Sequence, residues 1–130
     1  MTIDTILAVP QFEVADSHAA LFHALAEPTR LALLQHLSTG ELRVRDLVEH
    51  MHLAQSTVSK HLSCLRDCGL VTSRPQGRAS VFRLTHPEAL MDLLASAERL
   101  LALTGDAVIL CPTFGTAATA RAAAGTAAAR

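Results

Sequence analysis

The stretch from Gln55 to Cys68 constrains the fold of this 130-residue chain more than any other. Val58, Leu62 and Leu65 recur at i, i+4 and i+7, which lines them along one face of a helix. Gln55, Ser56, Ser59, Lys60 and Ser63 point away from that face. Gly69 follows at the left-handed position that ends a helix. Ahead of it lie a break, His52-Leu53-Ala54, and a shorter run, Val44 to His50, with Val44, Leu47 and Val48 facing inward. Two short helices joined by a tight turn, the second polar on its outer face, form a helix-turn-helix.

The rest of the chain fits around this unit. Asp16 to Ala26 reads as a helix, with Asp16 or Ser17 as its cap and Leu21, Phe22 and Leu25 as its apolar stripe. Pro28 suits the first turn of a second helix, Pro28 to Leu37, whose apolar face is Leu31, Leu34 and Leu37 and which closes at Ser38-Thr39-Gly40. Leu70 to Arg74 and Ala79 to Leu84 flank Pro75-Gln76-Gly77-Arg78, strand formers around turn residues, and predict a hairpin, or wing. Pro87 to Leu103 predicts a long helix with Leu90, Leu93, Leu94, Ala97, Leu100 and Leu101 in its stripe. That stripe is wide, and a second copy of the chain is the simplest cover for it. The expected fold is mainly α with a small β-hairpin: a winged helix-turn-helix over residues 12–104. A segment at 105–116 carries Cys111. The Ala-rich run at 117–130 has no large side chain to bury and is expected to be a disordered tail, although Ala also favours helix.

Half of the residues are apolar and the formal net charge is −1, which alone argues against a nucleic-acid binder. The distribution argues the other way. Residues 1–42 hold one basic and five acidic groups, a net −4, whereas residues 43–85 hold seven basic and three acidic groups, a net +4. A basic middle is the expected footprint of a phosphate backbone, or else a solvated charged face. No targeting segment is visible, and no apolar run approaches the ~18 residues that span a bilayer. A cytoplasmic protein without membrane contact is expected, with its three cysteines as free thiols or metal ligands and not a disulfide frame. No nucleophile–base pair, phosphate loop or paired carboxylates stand out. Neither an enzyme nor a small-molecule substrate is expected.

A helix fits the major groove, where its N-terminal half meets base edges. Gln55 can pair with adenine through two hydrogen bonds. Ser56 and Ser59 can reach bases or phosphates, and Lys60 and His61 phosphate, with Thr57 on the same outward turn. Arg74 and Arg78 belong to the wing, and Arg78 suits the backbone or a narrow minor groove. Each residue taken singly is equally compatible with plain solvent exposure; together they describe a surface for double-stranded operator DNA.

Ala24-Leu25-Ala26-Glu27-Pro28-Thr29-Arg30, Leu53-Ala54-Gln55-Ser56-Thr57-Val58-Ser59-Lys60-His61-Leu62, Gly69-Leu70-Val71 and Gly77-Arg78 together resemble the ArsR/SmtB family of metal-responsive repressors. The likeness covers roughly residues 16 to 104. It implies a homodimer built on the first and last helices that binds an operator with dyad symmetry when metal-free.

Cys64 and Cys68 lie four residues apart on the proposed groove-reading helix, so their side chains are neighbours with Cβ atoms roughly 5–6 Å apart. Two thiolates at that spacing can share a soft metal ion. They are also compatible with small packed hydrophobes, with Cys111 incidental. The family resemblance bears on this choice. The site ahead of the helix-turn-helix needs cysteines where this chain has Arg43 and Arg45, in Glu41-Leu42-Arg43-Val44-Arg45-Asp46. The last-helix site needs histidines, and none follows His86. Leu62-Ser63-Cys64-Leu65-Arg66-Asp67-Cys68-Gly69-Leu70-Val71 instead resembles the CmtR branch of cadmium and lead sensors. That branch implies a third thiolate from the other subunit's C-terminal region, for which Cys111 is the candidate. The implied effector is a soft divalent ion, cadmium or lead first, with mercury or zinc as further options. His50 and His52 are weaker nitrogen donors. Two other readings stay open: a thiol redox switch on the same fold, and a constitutive DNA-binding module with structural cysteines.

Overall fold

The computed structural model describes residues 11–116. The expected tail at 117–130 lies outside the described residues. The chain divides into two compact units, one through Pro87 and one from Glu88 onward.

The first unit begins with α1 (Gln11–Leu25) and α2 (Pro28–Leu37). The first helix starts earlier than its expected cap at Asp16 or Ser17. No Gly or Pro interrupts Gln11 to Ala15, so the helix runs on and both polar residues sit exposed within it, at the small cost of a modest propensity. Two residues turn the chain into α2. There Glu27 is the N-cap, its carboxylate accepting from the Arg30 N–H at 2.8 Å, and Pro28 occupies the first turn. Arg30 in turn closes α1, donating from Nε to the Ala24 carbonyl at 2.6 Å and from Nη2 to the His23 carbonyl at 3.0 Å. A cation on the last carbonyls of a helix satisfies acceptors that have no partner inside it.

A two-residue strand β1 (Leu42–Arg43) leads into α3 (Val44–Met51), and α4 follows (Gln55–Asp67). His52 ends α3 with φ +54, a left-handed conformation that costs a non-glycine residue about 1 kcal/mol. That residue makes the tight turn between the two helices. Gly69, with φ +78, ends α4 as expected.

The wing is β2 (Val71–Gln76) and β3 (Ala79–Leu84), paired antiparallel from Val71↔Leu84 to Gln76↔Ala79. The turn is therefore only Gly77-Arg78, with Gly77 at φ +62 in the first central position, where a type II′ hairpin needs glycine. Pro75 and Gln76 belong to the strand and not to the turn. The proline is tolerated because β2 is an edge strand. β1 pairs with the other side of β3, Leu42↔Phe82 and Arg43↔Val81, so the expected hairpin is the larger part of a three-stranded sheet ordered β1-β3-β2. Two residues carry too little pattern to announce a strand.

The core of this unit is aliphatic. Leu33, Leu34, Leu47, Val58, Leu62 and Leu65 are wholly buried, with Leu37, Val71, Val81, Phe82 and Leu84 beside them. Leu33 takes the place expected of Leu31, which is only partly covered. In the second unit, α5 (Pro87–Thr104) buries Leu90, whereas Leu100, Leu101 and Leu103 are exposed. A run of turns from Gly105 to Gly115 follows.

Candidate nucleic-acid interface and thiol pair

Val58, Leu62 and Leu65 anchor α4 to the core, and this fixes what the opposite face presents. Gln55, Ser56, Thr57 and Lys60 are exposed there, and Ser59 is half-covered. The helix begins at Ala54, whose methyl side chain cannot cap the first amides. An alanine N-cap forgoes roughly 1 kcal/mol relative to Ser or Asp. It leaves an outward-facing helix start with N–H groups and a positive dipole end for an acceptor from outside.

His61 and Arg74, two further expected contacts, each have an acidic neighbour. His61 is 20% exposed, and its Nε2 lies 3.9 Å from Oε2 of Glu27. Burial pushes the Glu27 carboxyl up, but the Arg30 and Thr29 N–H groups, the Thr29 hydroxyl and His61 outweigh it and hold the group below its ordinary value. His61 thus ties α4 to the start of α2. Arg74 donates from Nε and Nη2 to the two carboxylate oxygens of Glu41, at 3.2 and 2.6 Å, which holds Glu41 below the ordinary carboxylate value. Arg78 sits exposed at the turn of the wing.

Between the N-terminus of α4 and that turn lies a cleft of about 380 Å³ lined by Arg43, Arg45, Gln55, Arg78 and Ser80. Arg43 and Arg45, at the entrance to α3, are not among the DNA contacts expected from the sequence. The signal that could have found them is their place in the basic middle of the chain.

Cys64 and Cys68 are both exposed at the far end of α4. The Cys68 N–H donates to the Cys64 carbonyl at 3.0 Å, one helical turn back, and burial together with the neighbouring Cys64 pushes the Cys68 thiol up. Cys68 also lines a groove of about 210 Å³ with Ser17, Ala20, Leu21 and Ala24 of α1. Cys111 lies in the second unit, inside a tight turn. The Phe114 N–H donates to its Sγ at 3.4 Å, the Gly115 N–H to its carbonyl at 2.9 Å, and the Thr116 N–H to the Ile109 carbonyl at 3.1 Å. Hydrogen bonds from the Phe114 and Thr113 N–H groups hold the Cys111 thiol below its ordinary value. Gly115 is required by the turn: a Cβ there would collide with the Ile109 carbonyl oxygen and lie 2.6 Å from that of Cys111. Among the described residues of one chain, no three His, Cys, Asp or Glu side chains gather closely enough to hold a metal ion. His50 stacks on His36 with ring centroids 5.4 Å apart. Among the described residues no helix is long and apolar enough to cross a membrane.

Comparison with known proteins agrees with this architecture. Residues 27–73 match the model of the arsR family of bacterial regulatory proteins. A probable mercury resistance operon repressor of Streptomyces lividans is 43% identical over 96 residues, 74% of this chain and 76% of that one. The transcriptional regulator CmtR of Mycobacterium tuberculosis is 48% identical over 60 residues, 46% of this chain and 51% of that one. A homodimeric winged helix-turn-helix DNA-binding domain from Mycobacterium bovis superposes with a TM-score of 0.62 at 26% identity, covering 71% of this chain and 87% of the other. With 43% identity over three-quarters of the Streptomyces repressor and the family match over residues 27–73, this chain belongs to the ArsR family of bacterial regulatory proteins, which are not enzymes.

Proposed function

We propose that this chain is a metal-responsive transcriptional repressor that holds operator DNA as a metal-free homodimer and releases it when thiolates capture a soft divalent ion. The observation that carries the reading is that Cys64 and Cys68 stand one turn apart at the end of the helix that presents Gln55, Ser56, Thr57, Ser59 and Lys60 outward. Arg78 extends the DNA-facing surface at the wing. His61 and Arg74, engaged with Glu27 and Glu41, support it from behind. Exposed Phe22 on α1, and exposed Leu100, Leu101 and Leu103 on α5, offer apolar surface that a second copy would cover.

The residues fit a thiophilic ion. When bound, such an ion supplies strong, directional bonds to thiolate and little affinity for oxygen donors. Cys64 and Cys68 offer two sulfurs, and Cys111 offers a third that its backbone donors favour as thiolate. In this reading Cys111 of the partner subunit is the third ligand. Three sulfurs without a fourth donor favour cadmium or lead over tetrahedral zinc, with mercury open on the same chemistry. Cys64 and Cys68 then pull the end of α4 toward a sulfur outside the groove-reading surface, and α4 loses its fit to DNA. The redox alternative is less well served, because a helix holds a disulfide between residues four apart poorly.

The test is anisotropy of a labelled operator duplex, obtained by selection from a random library. Cadmium should weaken binding at least ~10-fold, corresponding to a coupling of about 1.4 kcal/mol, and DNA must weaken cadmium binding by the same factor. Cys64→Ser/Cys68→Ser should bind the duplex normally and ignore cadmium. Equal cadmium affinity of the free and DNA-bound protein would contradict the reading.

A further inference from the structure

We propose that the cleft bounded by Arg43, Arg45 and Arg78 is a seat for a backbone phosphate of the bound duplex. This rests on the duplex-binding reading above and adds to it a ligand class and two residues that the reading does not use. Three arginines, Gln55 and Ser80 line one open cavity of about 380 Å³. The acid beside them is Asp46, whose Oδ2 accepts from the Arg43 backbone N–H at 3.0 Å and lies 3.8 Å from its Nε. That single carboxylate leaves the lining net positive.

Two independent features aim the cleft at an oxyanion of DNA and not at a free metabolite. Its lining joins the start of α4, which carries the outward polar residues, to the turn of the wing. A group seated there is therefore flanked on both sides by the surface proposed to meet the duplex. Its floor is also fixed: Arg43 is held in register against Val81 of β3, and Ala79 and Ser80 of the same strand complete the wall. The Ala54 cap leaves the first α4 amides for an outside acceptor. Guanidinium forks and helix-start N–H groups are the two donor types that phosphate oxygens select. Arg74, by contrast, already spends its fork on Glu41.

The experiment is the salt dependence of full-chain binding to the selected operator duplex, comparing wild type, Arg43→Gln/Arg45→Gln, Arg45→Gln alone and Arg99→Gln. Each phosphate neutralised contributes about −0.9 to the slope of log K against log salt concentration. The double variant should flatten that slope by about one to two and bind roughly ten-fold more weakly near 0.1 M salt. Arg45→Gln keeps the Arg43–Asp46 pair and so guards against a folding defect; it should lose about one unit of slope. Arg99→Gln, which removes the same charge on α5, should leave the slope unchanged. Wild-type slope and affinity in both cleft variants, with cadmium release intact, would overturn the phosphate seat and leave the repressor reading standing. A wild-type protein that fails to bind the duplex would overturn both.

Discussion

The thiols of Cys68 and Cys111 are driven in opposite directions by their surroundings. Burial and the adjacent Cys64 disfavour a negative charge on Cys68, whereas the N–H groups of Phe114 and Thr113 favour it on Cys111. Because the thiolate is the reactive form, Cys111 should be alkylated by iodoacetamide several times faster than Cys68 at pH 7.5, the gap closing as pH rises. Mass spectrometry of the quenched protein reads both rates at once; equal rates would remove the electrostatic distinction. The same signs mean that soft-metal affinity falls with acidification and that Cys68 is the ligand of this pair lost first, since a proton must leave it for a metal to enter. Gly115 belongs to this scale as well. Gly115→Ala forces the Ile109 or Cys111 carbonyl to move, and the Cys111 rate should drop toward that of Cys68. An unchanged rate would show that the turn does not set the reactivity. Sequence alone revealed the cysteines and their spacing. It could not reveal the turn around Cys111, because backbone donors to sulfur leave no side-chain signature.

Among the elements, α4 was legible because its two faces are chemically distinct, with three aliphatic residues on one side and amide, hydroxyl and ammonium groups on the other. Those aliphatics do more than hold the helix to the core: they determine which side faces outward. Leu62→Ala, at a wholly buried position, should cost about 3 kcal/mol in urea unfolding. A loss below ~1 kcal/mol would mean that the helix is not anchored there. Elements with a weaker signature were read less well. β1 is too short to alternate, Pro75 looked like a turn residue although an edge strand accepts it, and Asp16 and Ser17 looked like caps although the helix passes through them. His52 shows why the helix-turn-helix junction reads only as a break: its left-handed turn is made without the glycine that announces one. His61 and Arg74 were legible as polar and basic, but their partners Glu27 and Glu41 lie 34 and 33 residues away in sequence, beyond the reach of periodicity.

At the scale of the whole molecule, the uneven charge of the sequence places Arg43, Arg45 and Arg78 of the basic middle segment around the start of α4 and the turn of the wing. The exposed leucines of α5 become the surface proposed for a second copy. What ties these to regulation is the claim that one soft ion is shared by two sulfurs of α4 and one sulfur of the partner subunit. Mixed dimers test it most directly. Cys111→Ser lacks the third sulfur, Cys64→Ser/Cys68→Ser lacks the first two, and neither alone should show the full sulfur-to-metal charge-transfer absorption with cadmium. After the two are mixed and allowed to exchange subunits, each hybrid dimer holds one intact set, and the absorption should rise well above the sum of the separate proteins. A mixture that shows only that sum, alongside a wild type with the full band, would contradict the shared site.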